Sequence, residues 1–500
     1  YQADLSSSYN IPEKWYFADA QPYYLSAGPS GAILGFFDDI LAAKVEISED
    51  SGRHILNLEI PLSRGETRKT PFRLWLWSDI GTPDKWAAID EWTSVYDSLS
   101  AYYHEIAGIS RTEPKPVLWY TYWGDETSPS GTPPLEESVF YRVSQTELLT
   151  ARNYGFGVFM LDGPWESDWE HPEGSYLPGS CSGHSLNAPW SLDLSRMLGG
   201  EEAFNILSRK ADELGIDFIV WITPGHLSNS SPLFVEHPDW VRWRPTGIPE
   251  HAGYADITGT RMESGWFDYA ISRIKDLAEN STFDGFLVDS WLTFGLYPDA
   301  SGMNTQITPS LQSSIQMQKM WREMGLDQIY IEGTGPFGIS SGGYGWELSF
   351  FGGDSETPWR QFETIRGREY GLYRYNADTM IEADSYYRTL ASKGIISVFS
   401  KSLFEQWSPD VVESIKQTNR DYMKVLPWMK QRHLLGNGDT WLGVEWISNN
   451  PDGRVLFSFA EFTYSLPPEM AVEDVTADRV LDVGGILYTE PYHTYLIRNQ

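Results

Sequence analysis

Two aspartates stand where this chain is able to do chemistry. Asp289 ends the run Phe283-Asp284-Gly285-Phe286-Leu287-Val288, and Trp291 follows it by two places. Asp354 comes 65 residues later, in Gly352-Gly353-Asp354-Ser355-Glu356-Thr357-Pro358-Trp359, after the apolar run Trp346 to Phe351. A carboxylate at the end of a buried strand is costly unless it is paired or used. Glycosidic cleavage uses two of them. One holds negative charge beneath the anomeric carbon, and the other delivers a proton to the leaving oxygen. Asp289 is the expected nucleophile and Asp354 the expected acid/base, its pKa raised by apolar neighbours such as Phe350, Phe351 and Trp359. Glu332 and Glu356 are rival acids for the second role. A retaining enzyme requires carboxyls ~5–5.5 Å apart and an inverting one ~6.5–9.5 Å.

Other acids and aromatics gather at similar places. Asp162, in Leu161-Asp162-Gly163-Pro164-Trp165, follows an apolar run and suits two sugar hydroxyls, with Trp165 covering an apolar sugar face. Capping of the Gly-Pro turn would explain the same acid. Trp119, Trp123 and Trp221 are candidate pocket walls or core residues. His226, Trp291, Glu332 and Trp359 complete the set of candidate substrate contacts. His226 has no second His at ligand spacing, so no metal site is expected. Walker and H-E-x-x-H motifs are missing, which excludes P-loop nucleotide-binding enzymes and the corresponding zinc hydrolases.

These residues need a scaffold that brings distant strand ends together. From Pro116 the sequence alternates short apolar runs with helical spacing. Strands are expected at 117–123, 157–162, 218–223, 286–289, 329–332, 346–351, 371–375 and 395–399. Helices are expected at 135–153, 201–214, 263–279, 310–324, 357–368 and 409–432. Eight such units predict an α/β fold, a (β/α)₈ TIM barrel with its site at the carboxyl ends of the strands. Residues 1–110 read as an N-terminal β domain with a connector helix, 111–432 as the barrel, and 433–500 as a C-terminal antiparallel β-sandwich. Ser340-Ser341-Gly342-Gly343 reads as a loop between strands five and six.

Composition narrows the substrate. The chain has 69 acidic and 37 basic residues, a formal charge of −32, which disfavours nucleic acid, anionic lipid and polyanionic ligands. Its 22 Trp fit stacking on sugar faces, or an aromatic-rich core. Cys181 is alone, so no internal disulfide or Cys-based metal site forms. There is no apolar run of about 18 residues to span a membrane. The opening YQADLSSSYNIP is expected of a mature secreted or periplasmic chain more than of a cytoplasmic one. An oligosaccharide or polysaccharide-derived substrate is expected, without a cofactor; the sequence identifies no subunit interface.

With those residues in place, the chain resembles the (β/α)₈ α-glycosidases of clan D (families 27 and 36) and family 31. Asp284 and Asp289 keep the strand-four spacing of family 36, with Leu287 where that family has Lys. Asp284-Gly285-Phe286-Leu287-Val288-Asp289 is similar to the Asp-Gly-Phe-Trp-x-Asp pattern of family 31. Gly353-Asp354 with Trp359 fits that family's acid/base segment, and Tyr254-Ala255-Asp256-Ile257-Thr258 looks like its Tyr-Pro-Asp-Phe-Thr segment. Leu161-Asp162-Gly163-Pro164-Trp165 looks like a reduced Asp-Asp-Gly-Trp motif of clan D. The resemblance implies a retaining exo-α-glycosidase, α-galactoside-like at first guess. An α-glucosidase, α-xylosidase, transglycosylase or non-catalytic sugar-binding barrel is the alternative. The missing Lys and the missing second Asp of strand two weaken transfer of the galactose preference.

Overall fold

The computed structural model describes residues 113–121, 132–167, 170–171, 189–243, 247–249, 257–288, 307–332, 383–393, 395–400, 407–436, 441–448 and 453–499. It also describes strand segments within 14–78, 343–344 and 372–376, and positions 105 and 108. Near the amino terminus, β1 (Lys14–Tyr16), β2 (Tyr23–Gly28), β3 (Gly31–Phe37), β4 (Lys44–Asp50), β5 (Arg53–Glu59) and β6 (Phe72–Ser78) form two antiparallel three-stranded sheets, β1-β4-β5 and β2-β3-β6. The β4–β5 pairing runs in register from Lys44 with Glu59 to Asp50 with Arg53.

The central region begins with β7 (Val117–Tyr120), then α1 (Val139–Gln145) and α2 (Glu147–Asn153), then β8 (Val158–Leu161). A hairpin, β9 (Trp165–Ser167) with β10 (Pro189–Leu194), precedes α3 (Gly200–Leu214) and β11 (Asp217–Ile222). A second excursion carries β12 (His226–Ser228), α4 (Pro232–Glu236) and β13 (Ile257–Gly259) before α5 (Gly265–Asn280) and β14 (Gly285–Val288). There follow α6 (Ile307–Glu323), β15 (Gln328–Glu332), β16 (Gly343–Tyr344), β17 (Leu372–Asn376), α7 (Ala383–Ala391), β18 (Ile395–Phe399) and α8 (Pro409–Val425). Strands β7, β8, β11, β14, β15, β16, β17 and β18 pair in parallel in that order. β18 then pairs back onto β7, closing the ring.

Pleating divides each barrel strand between two environments. Phe159, Phe218 and Phe286 face outward, where Phe218 meets Phe204 of α3 at 5.4 Å and Phe286 meets Trp321 of α6 at 4.6 Å. Side chains one place on in each strand face inward. Register pairs Trp119 with Met160, and Trp221 with Leu287 and so with Tyr330, as one inward series. In β7, β8, β11 and β14 both faces are buried, which is why these strands are apolar runs.

Four differences from the sequence expectation have local causes. The helix expected over 135–153 is broken at Thr146. There Ser144 Oγ and Thr146 Oγ1 donate to the carbonyls of Tyr141 and Arg142, competing with the helical ladder. The helix expected to run to residue 432 stops at Val425. Pro427 lacks the N–H that would continue it, and Gln431–Gly436 is already a strand. The sixth barrel strand is Gly343–Tyr344, inside the stretch read as loop; 346–351 and the helix expected over 357–368 lie outside the described residues. The sequence pattern predicts no helix over Ala383–Ala391, where α7 forms.

The chain ends in β19 (Gln431–Gly436), β20 (Trp441–Ile447), β21 (Gly453–Ser458), β22 (Thr463–Ser465), β23 (Met470–Asp474), β24 (Arg479–Leu481), β25 (Ile486–Tyr488) and β26 (Thr494–Asn499). Six make an antiparallel sheet, β19-β20-β21-β26-β23-β24, and β22 pairs with β25. Its apolar face merges with the barrel core through Val444, Trp446, Val455 and Phe457. Trp446 Nε1 donates to Ala391 O at 2.6 Å and Lys393 Nζ to Met429 O at 2.9 Å, tying α7 to this region. Among the described residues no helix is long and apolar enough to cross a membrane.

Candidate active site

In a parallel barrel the loops at the carboxyl ends of the strands are where functional side chains gather. On β7 and β8 the last inward residues are Trp119 and Asp162. Asp162 is fully buried. Its backbone N–H donates to Tyr120 O at 3.0 Å, which extends the β7–β8 ladder by one residue. Trp119 Nε1 donates to Asp162 Oδ2 at 3.1 Å, and a hydrogen bond of this kind stabilises by roughly 0.5–1.5 kcal/mol. Gly163 then takes φ +57°, a left-handed conformation that turns the chain sharply at no steric cost. Asp162 is therefore held in place at the mouth of the ring, as a group that binds through its acceptors would be.

Trp165 is also buried. Its Nε1 donates at 2.7 Å to the carbonyl of Trp221, the inward residue near the end of β11. That bond fixes the β9–β10 hairpin over the ends of β8 and β11. Trp119 and Trp221 are 6% and 4% exposed, so the three indoles present edges and small facets, in contrast to an open platform.

The excursion after β11 brings a second polar group to the same side. His226 pairs with Gly259, and Arg242 N–H donates to Gly259 O at 3.0 Å. His226 and Arg242 thus flank one glycine, and both are buried. Burial, and then the positive charge of Arg242, push the His226 imidazole down to about 3, so it is neutral at ordinary pH. Its backbone N–H donates to Thr223 O at 3.0 Å, and Thr223, Ser228, Asn229, Thr258 and Thr260 are likewise buried. The sequence singled out His226 but not Arg242; a basic residue in Asp239-Trp240-Val241-Arg242 reads as surface until the bridge of Val241 to Thr260 is seen.

The acids of strand four divide by position. Asp284 sits at the amino end of β14, on the opposite side of the barrel from Asp162. Its Oδ2 accepts from Phe218 N–H at 2.7 Å, next to the ion pair of Lys115 with Asp217. Burial, opposed by that hydrogen bond and by Lys115 and reinforced by the charge of Asp217 and Asp212, raises its carboxyl to about 6. Gly285 follows because a Cβ there would lie 2.0 Å from Gln328 O. Asp284 and Gly285 therefore serve barrel construction. Asp289 comes directly after Val288, the last residue of β14, and with Trp123, Trp291, Asp354 and Trp359 lies outside the described residues. Glu332 is the last residue of β15, with only its backbone described.

One acid–histidine group elsewhere has the composition of a metal site. Asp474, Glu490 and His493 converge within 4.8 Å, but the Arg479 guanidinium pairs with both carboxylates and supplies the positive charge itself.

The architecture can be matched against known proteins. The family 36 α-galactosidase AgaA of Geobacillus stearothermophilus, solved with stachyose, superposes with TM-score 0.57 at 11% identity, covering 95% of this chain and 68% of that one. The chain shares its fold with α-galactosidases. The Lactobacillus brevis α-galactosidase gives TM-score 0.55 at 10% identity, covering 98% of this chain and 68% of that one. A maltogenic α-amylase, AmyB of Thermotoga neapolitana, gives 0.53 at 12%, covering 77% and 99%. In sequence, AgaA is 21% identical over 226 residues, which is 43% of this chain and 25% of AgaA, so the matched stretch spans a quarter of that relative. No family model matches the chain.

Proposed function

We propose that this protein is a retaining exo-α-glycosidase on a complete (β/α)₈ barrel, related to the family 36 α-galactosidases, with Asp289 as nucleophile and Asp354 as acid/base. The observation that carries the reading is the buried Asp162 carboxylate, pinned by Trp119 at the carboxyl end of a closed parallel barrel whose fold is shared with α-galactosidases. Asp289 supports it by parity. It is two places after inward-facing Leu287 in sequence, the parity that an extended strand gives to side chains on one face. In this scheme Asp162 accepts from sugar hydroxyls while Asp289 attacks the anomeric carbon. Asp354 gives its proton to the leaving oxygen and then takes one from water.

Leu287 bears on the sugar. It is buried on the inward face of β14, at the place where the galactoside enzymes of family 36 carry Lys. An apolar side chain there offers no donor to a sugar hydroxyl, so an α-galactoside, an α-glucoside and an α-xyloside all stand as substrates. The likeness to AmyB favours including the α-glucosides. The experiment is parallel hydrolysis of aryl α-galactoside, α-glucoside, α-xyloside and α-fucoside by wild type and Asp289→Ala. Wild type is expected to cleave at least one, and Asp289→Ala none while still binding sugar. A wild type that leaves the entire panel intact yet binds sugars refutes the enzyme in favour of a sugar-binding barrel.

A further inference from the structure

The β9–β10 hairpin holds a group that the two-acid mechanism does not use. Glu166 Oε1 is 2.9 Å from His171 Nε2, and Ser191 Oγ donates to Glu166 Oε2 at 2.7 Å. The His171 ring lies parallel to Trp190, centroids 4.2 Å apart and planes 14° apart. Trp190 is nearly buried beneath it, whereas the His171 side chain is 30% exposed. The result is a flat ring at the surface, backed by an indole and fixed in orientation by a carboxylate.

The scaffold below carries backbone strain. Leu192 has φ +61°, in the left-handed region, within the β10 bulge. Three contacts enforce it: Leu192 is buried, Tyr269 Oη donates to Ser191 O at 2.6 Å, and Arg273 pairs with Asp193. The Ser191 hydroxyl lies on this bulge, 2.7 Å from Glu166 Oε2 and 3.0 Å from Asp193 Oδ2, so its one proton is shared between the two carboxylates. The location is also informative. Glu166 is four residues beyond Asp162, a span of at most about 14 Å, and Trp165 between them is bonded to the end of β11. Ser231 Oγ donates to Trp190 O at 2.8 Å, joining the hairpin to the second excursion.

Resting on the glycosidase reading, we infer that His171, stacked on Trp190 and oriented by Glu166, is a subsite for the sugar beyond the scissile bond. The substrate is then an α-linked oligosaccharide. Nε2 is committed to Glu166, which leaves Nδ1 and the exposed part of the ring for a hydroxyl and the C–H face of a hexose. Glu166 is a positioning residue and His171 the binding one.

The test compares two substrates that carry the same terminal sugar. One is the aryl glycoside that the panel shows to be cleaved, and the other is a trisaccharide with that sugar at its non-reducing end (raffinose, for galactose). His171→Ala is expected to lower kcat/KM on the trisaccharide by about tenfold, the size of one lost hydrogen bond. On the aryl glycoside, whose leaving group offers no hydroxyl to Nδ1, the loss should be at least about threefold smaller, and Glu166→Gln should show the same split more weakly. If His171→Ala does not fold, His171→Gln, which keeps a donor for Glu166 but no ring, replaces it. An equal loss on both substrates, no loss on either, or a wild type that cleaves only the aryl compound overturns the subsite alone. A wild type that neither cleaves nor binds any member, by calorimetry, overturns the glycosidase reading and the subsite with it.

Discussion

Replacing Asp284 by Asn separates barrel construction from catalysis, because this acid lies at the amino end of β14. Folding raises its carboxyl from 3.8 to about 6, chiefly by burial. The folded state therefore holds its proton more tightly than the unfolded chain, and between those two values it binds more protons. Stability contributed at this position is full below pH 3.8, falls as pH rises to 6, and is lost above it. At 1.36 kcal/mol per unit the undiscounted cost at pH 8 is about 3 kcal/mol; partial exposure of the group reduces it to about 1–2. Asn keeps an oxygen for Phe218 N–H and never ionises, so Asp284→Asn is expected to be more stable than wild type at pH 8 and no more stable near pH 4. For 500 residues, an unfolding entropy of about 2.1 cal/mol/K per residue converts that gain to about 1–2 °C in Tm. Tryptophan fluorescence melts of both proteins from pH 4 to pH 8 measure it, with aryl glycoside turnover as the control. A Tm difference that is constant across the range, or that favours Asn only in acid, refutes the account of Asp284.

Two further outcomes follow from the geometry. Gly285→Ala places a Cβ 2.0 Å from Gln328 O, a backbone atom of the adjacent strand, and is expected to cost at least about 3 kcal/mol or prevent barrel closure; circular dichroism melts and soluble yield report it. Trp165→Phe keeps the buried ring but removes the donor to Trp221 O, with an expected loss of about 1–3 kcal/mol. It should also raise KM more than it lowers kcat, measured by steady-state kinetics on the cleaved aryl glycoside.

The residues that make strands and helices were legible because their causes are local. Apolar runs such as Phe218 to Ile222 and Phe286 to Val288 declare buried parallel strands. Asp162 was legible too, as an acid ending such a run. Sequence went wrong where a single side chain outweighed a pattern: Thr146 dividing a helix, Pro427 ending one, and β16 needing only two residues because its neighbours supply the ladder.

What only tertiary structure decided is which side of the ring each polar residue serves. Asp284 and Asp162 look alike in sequence, each an acid beside a glycine at the edge of an apolar strand. One lies at the amino end, bonded to a neighbouring strand's N–H, and the other at the carboxyl end, bonded to an indole. Glu166, His171, Trp190 and Arg242 carried no signal, because their meeting depends on two excursions folding against each other across long stretches of chain. Spacing along a chain fixes the period of burial; it does not fix which distant segments share a face, since that follows from closure of the barrel and the packing of its loops.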